Sequence, residues 1–255
     1  MGCFEKGPII NPINSGSPGF GERSMDFDFT PYFKRYEAIS AMADQVFDRV
    51  REKHPEEVRC KTQCADCCYA LFDLTLIEAL YINHHFNAGF DEEEKERLLE
   101  SANRYDRKIH KIKRKAYKSV EAGEEEAAVL ESLAAERERC PMLDAEDRCR
   151  MYGFRPITCR LYGIPTAIGG KGHTCGKSGF VQGKPYQTVN IDSIQKMLYD
   201  LSAELVADLK SRHIKLAEII VPLSMAILTD YNEEYLGTSK EGTEEQADEK
   251  GDSNE

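Results

Sequence analysis

Cys60-Lys61-Thr62-Gln63-Cys64-Ala65-Asp66-Cys67-Cys68 sets four thiols within nine residues, and the rest of the chain is best read outward from them. Gaps of two or three residues let a tight turn aim neighbouring sulfurs at one centre, the local half of a zinc or iron–sulfur site. A second batch follows at wider spacing, Cys140, Cys149, Cys159 and Cys175, while Cys3 stands apart. Cysteines used as small apolar core residues account for one or two such positions, not for eight in turn-rich segments. With no secretory signal at Met1–Pro8, the expectation is a cytoplasmic chain, where structural disulfides do not persist and nine cysteines imply metal or redox chemistry.

Charge points the same way. Four thiolates around Zn2+, or around a [4Fe–4S]2+ cluster, carry about −2, so nearby cations stabilise them. Arg59 and Lys61 flank Cys60, Arg139 precedes Cys140, Arg148 and Arg150 bracket Cys149, and Arg160 follows Cys159. Cys67 and Cys68 pose a difficulty, because adjacent side chains tend to diverge. One of the two is expected to serve a second centre or to remain a reactive thiol.

Helical signals surround the thiols. Thr30-Pro31 reads as an N-cap and a first-turn proline, and Phe33, Tyr36, Met42, Ala43, Val46, Phe47 and Val50 predict an amphipathic helix to about Lys53. Thr75 and Glu78 form a capping box for a helix ending at Gly89. From Asp91 the sequence runs acid first and base last, the order a helix dipole favours, up to the breaker Gly123. Glu124 to Arg139 predicts a further helix. Residues 140–188, rich in glycine, predict loop and short hairpin. Asn190 to Leu209 predicts a helix, and Ile214 to Leu228 a buried one bent at Pro222. The predicted class is mainly α: helices around an irregular, cysteine-rich metal-binding core with short hairpins. Its expected organisation is a flexible leader over 1–29, one domain over 30–236 with metal-binding blocks at 60–68 and 140–176 and a helical insertion at 91–139, and a disordered acidic tail over 237–255.

The 255 residues carry a formal charge of −11, of which the stretch 238–255 supplies −5. No apolar run could cross a bilayer, and the mild acidity of the remainder argues against bulk binding to nucleic acid or to an anionic membrane. Eight Lys and Arg between Arg104 and Lys118 form a basic run, read as a solvated helix face because few aromatics accompany it. Of six histidines only His173 falls within a cysteine block, and His84 and His85 read as surface or packing residues. No Ser-His-Asp set, phosphate loop or His-Glu-x-x-His helix is present.

The first block, followed by Leu74-Thr75-Leu76-Ile77-Glu78, resembles the cysteine-cluster family named for YkgJ, the CxxCxxCC type of zinc- or iron-chelating domain. Cys140-Pro141-Met142-Leu143, Arg148-Cys149-Arg150-Met151-Tyr152, Arg155-Pro156-Ile157-Thr158-Cys159-Arg160 and Cys175 resemble its second block. The resemblance spans roughly 60–176 and departs from the family where Ala65 and Asp66 replace a glycine before the paired cysteines. It implies chelation of zinc or iron, including a 4Fe–4S cluster, through Cys60, Cys64, Cys67, Cys68, Cys140, Cys149, Cys159 and Cys175. Because the family includes flagellin lysine N-methylase-like proteins, it also implies an alternative, an iron–sulfur-dependent protein methyltransferase or a redox enzyme with a protein substrate or partner. Cys60-x3-Cys64-x2-Cys67 shares the spacing of radical S-adenosylmethionine enzymes, but no aromatic precedes the third cysteine and no alternating strand–helix series follows. The expectation for the structure is that at least six of the eight sulfurs converge in one region.

Overall fold

The computed structural model describes residues 27–238 except Thr62. The expected leader and tail therefore lie almost wholly outside the described residues. Phe27 packs edge-on against Phe29, which is itself buried beside Tyr32 and Phe33. Helix α1, Thr30–Lys53, starts one residue earlier than the Thr30 cap implied, with Phe29 as cap and Pro31 in the first turn. Tyr32, Phe33, Tyr36, Ile39, Ala43 and Val50 recur on one helical face, and that face is buried.

A short strand β1, Asp73–Thr75, leads into α2, Leu76–Gly89, through the expected capping box. Every residue from Leu76 to Asn83 is buried, so α2 is the central helix rather than a surface one. Helix α3, Glu92–Glu121, is capped by Asp91, whose carboxylate accepts from the Glu94 N–H at 2.8 Å, and it buries Leu98, Ala102 and Ile109. Its basic half is exposed. Lys108 pairs with Glu138 and Lys113 with Asp73, while Lys111, Arg114, Lys115 and Lys118 line an open groove at the far end.

Helix α4 covers Glu126–Ala135, not Glu124–Arg139. It stops early because the backbone beyond it is drawn into a ladder with the first cysteine block: Ala70 bridges Arg137, the Glu138 N–H donates to Tyr69 O at 3.0 Å, and the Cys140 N–H to Cys68 O at 2.7 Å. The second block is not purely loop. Pro156 caps a five-residue helix α5, Ile157–Leu161, ahead of the expected hairpin of β2, Thr166–Ile168, and β3, Lys171–His173. Gly169 and Gly170 both have positive φ, at +54° and +75°, as a two-residue hairpin turn requires.

Strand β4, Val189–Asn190, pairs in parallel with β2 and passes into α6, Ile191–Asp208, with Asn190 as its N-cap. The predicted helix over Ile214–Leu228 is corrected: a 3-10 turn over Ile214–Glu218, strand β5, Ile220–Pro222, and helix α7, Leu223–Leu228, share that stretch. Residues 220–222 pair antiparallel with β1, a long-range partner that suits the β-branched run Ile219-Ile220-Val221 and leaves Pro222 at the strand end. The architecture is mainly α, with seven α-helices among the described residues, and none is long and apolar enough to cross a membrane.

Candidate metal centre

Five segments carry the thiols. Cys60 and Cys64 lie on the irregular chain after α1, and Cys67 and Cys68 on a 3-10 turn over Asp66–Tyr69. Cys140 and Cys149 close a tight loop through the Leu143–Cys149 bridge, Cys159 rides on α5, and Cys175 follows β3. The ladder from Cys68 to Cys140 holds the two blocks side by side across 72 positions of sequence.

Cys67, Cys68, Cys140, Cys149 and Cys159 line one cavity of about 40 Å3, walled otherwise by apolar groups such as Phe72, Ile82, Met142, Met151 and Phe154, with Tyr105 and Arg155 at its edge. Contrary to the expected divergence, the adjacent Cys67 and Cys68 both face it, with sulfurs 3.9 Å apart. The edge of a tetrahedron with metal–sulfur bonds of about 2.3 Å is roughly 3.8 Å. Cys60, Cys64 and Cys175 do not line the cavity. Cys60 instead faces the Tyr162 carbonyl at 3.7 Å, and the Cys175 thiol donates to the Asp66 carboxylate at 3.3 Å. The eight thiols thus gather as two neighbouring groups rather than around a single point.

Burial dominates the electrostatics of these sulfurs, since a thiolate loses its hydration inside the protein. It pushes Cys149 up to about 11 and Cys140 to about 12, each raised further by neighbouring thiols, and Cys159 well above its ordinary value. Arg155 opposes the shift at Cys149 and Cys159. Within the adjacent pair, the hydrogen bond between the two sulfurs draws Cys67 down and drives Cys68 up.

Most arginines expected beside the thiolates are engaged elsewhere. Arg139 bonds Asp147 and the Tyr69 hydroxyl, Arg148 bonds Asp144 and Glu146, and Arg150 pairs with Glu94. Arg160, its side chain only 8 % exposed, reaches Asp44 of α1 at 2.5 Å and two backbone carbonyls, and Arg155 shares the same carboxylate. These arginines brace the loops that present the sulfurs. Glu78 does similar work from the helical side: fully enclosed, it caps α2 and accepts the Ile157 N–H at 3.1 Å, fixing the start of the helix that carries Cys159.

His173 lies on an exposed strand. His85 stacks on Phe154 with ring centroids 3.8 Å apart, and His84 packs against Phe33, so both are packing residues. Sequence reasoning missed the role of Asp66, whose carboxylate takes hydrogen bonds from Arg137, Tyr162 and Cys175. Its signal was present, an acid standing between Cys64 and Cys67 where the resembled family carries glycine.

The donor set fits zinc or iron: five thiols from three separate segments share one small cavity, and two of them already stand a tetrahedral edge apart. Among the described residues no group of three or more His, Cys, Asp or Glu stands arranged to hold a metal ion. Residues 59–176, a little under half of the chain, match the CxxCxxCC family model, described as a putative zinc- or iron-chelating domain. No curated protein and no solved structure matches the chain.

Proposed function

We infer that the protein binds zinc or an iron centre through its clustered cysteines, within a single helical domain over 30–236 whose irregular core is the metal site. The observation that carries this reading is the meeting of Cys67, Cys68, Cys140, Cys149 and Cys159 on one cavity, although 92 positions separate the first from the last. Thiols brought together from such distance, with no disulfide among the described residues, have a common purpose best supplied by a soft cation. The contact between Cys67 and Cys68 favours two sulfurs on the same metal atom, which suits one tetrahedral ion better than a cubane whose irons each take one cysteine. When bound, the metal supplies a cross-link between the two blocks. The chain's own residues orient it: the Cys68–Cys140 ladder sets the spacing, Glu78 fixes α5, and Arg155 offsets thiolate charge. Methyl transfer and redox catalysis rest on the family resemblance alone.

Elemental analysis and an absorption spectrum of protein purified without oxygen test this reading. Zinc or iron at one or more equivalents per chain, lost in Cys159→Ser, is the expected result. Protein that holds no metal under those conditions and takes up none on addition would overturn it.

A further inference from the structure

Helix α3 changes character halfway along. In its first half acids and bases pair within a turn, Lys95 with Glu92 and Arg104 with Glu100. From Arg107 to Lys118 the sequence holds no acid at all. Lys108 and Lys113 find Glu138 and Asp73 on other segments, but Lys111, Arg114, Lys115 and Lys118 take no ion pair among the described residues. These four line an open groove with Ser119, Ala122 and a single carboxylate, Glu124. Spaced at three and four residues, they stand on one face, where like charges repel and weaken the helix. The helix dipole does not account for them, since it acts within the last turn and only Lys118 lies there. What offsets such a stripe is an anion laid along it.

The chain carries an anion of matching charge. Residues 239–255 hold seven acids against Lys240 and Lys250, a net of −5 opposite the four cations. They are also within reach. Ser224 of α7 bonds Asp106 of α3 at 2.9 Å, and the Thr238 N–H folds back onto Glu233 O at 2.8 Å. Even the longest route from Thr238 through α7 and along α3 to Lys118 is about 55 Å, whereas the extended segment 239–255 spans up to about 60 Å. We propose that the acidic segment 239–255, through Asp248, Glu249, Asp252 and Glu255, docks on the basic stripe of α3 and screens it from other polyanions. The tie is electrostatic and intramolecular, so it gains from a high effective concentration although each exposed pair is weak.

Carbodiimide cross-linking of the full chain, mapped by mass spectrometry, tests this together with the affinity for a labelled oligoglutamate. The expected cross-links join the segment 248–255 to Lys111, Lys115 or Lys118 and vanish at ~0.5 M NaCl, where charges are screened beyond about 4 Å. A full-length variant with Asp248→Asn, Glu249→Gln, Asp252→Asn and Glu255→Gln should bind the oligoglutamate about two- to tenfold more tightly than wild type, because its own acids no longer compete. Adding Arg114→Glu and Lys118→Glu to that variant should abolish the gain. Cross-links that fall only on other lysines, or equal affinity in wild type and variant, would overturn the proposal. So would a DNA oligonucleotide bound equally tightly by both, which would assign the stripe to an external polyanion.

Discussion

Helix α2 and the segment 140–188 meet at the hydrogen bond from Ile157 to Glu78, yet different forces hold them. Every residue of α2 from Leu76 to Asn83 is buried, and each large apolar side chain so buried contributes about 1.5–3 kcal/mol. The second segment buries Met142, Met151, Ile157, Leu161 and Ile164, but from Gly169 to Lys184 none of its residues is buried. Its ion pairs Arg139–Asp147 and Arg148–Glu146 are exposed enough to contribute about 0–1 kcal/mol each. Ordering its backbone costs ~1–2 kcal/mol per residue. The difference teaches that the helical half stands on apolar burial, whereas much of the cysteine-bearing half lacks it, so that the proposed metal would be its main cross-link.

The sharpest way to break that contrast is to remove the metal. Structural metal binding contributes ~10 kcal/mol or more to folding. Chelation, or Cys159→Ser, should therefore raise proteolysis across 140–188 severalfold while α1 and α6 stay protected, as mapped by cleavage-site mass spectrometry. Equal resistance of stripped and loaded protein there would erase the distinction. Leu80→Ala comes next: fully buried in α2, it should cost about 2–5 kcal/mol and lower the melting temperature with and without metal. Metal content per folded chain should not change, and a selective loss of metal would show that the halves are not separable.

Asp44→Ala acts on the seam. It removes the carboxylate that holds Arg155 and Arg160 against α1, leaves the nearly buried Arg160 with backbone partners only, and should cost about 1–3 kcal/mol. Hydrogen exchange should rise over 155–161 more than in α2. The smallest effect concerns pH. Burial, aided by His84, lowers His85 to about 4. Since the unfolded chain protonates near ~6.5, it binds the extra proton between those values, so stability is complete above that range and declines as pH falls through it. His85→Phe keeps the stack on Phe154 and should flatten this decline, giving a melting temperature about 2–4 °C closer to its neutral-pH value at pH 5. Identical acid profiles for variant and wild type would remove His85 from the seam.

The same division governs what could be read in advance. Helices α1, α2 and α6 announce themselves through apolar spacing and local caps, Glu78 and Asn190 among them, because those signals lie within a few residues of what they specify. Strand β5 does not, since its partner β1 lies 147 positions away and only that pairing turns Ile220–Pro222 from helix to strand. The shortening of α4 has the same origin in the ladder to Tyr69. The eight cysteines were legible as a set. Their division into five that line a cavity and three that do not was not, because spacing along the chain says nothing of which face of a turn each sulfur takes.

That ladder has a further consequence for how the molecule tolerates change. Residues 71–136 leave and return at adjacent points, so α3 and α4 form an arm whose root is clamped at Ala70 and Arg137 and whose tip turns at Gly123, φ +90°. Extra length inserted at the tip enlarges a closed excursion without shifting either end of it. Doubling such a loop costs only about 0.6 kcal/mol of closure entropy. The arm is thus a natural grafting point, where a sequence of different size or charge could be exchanged while the thiols at its root keep their spacing.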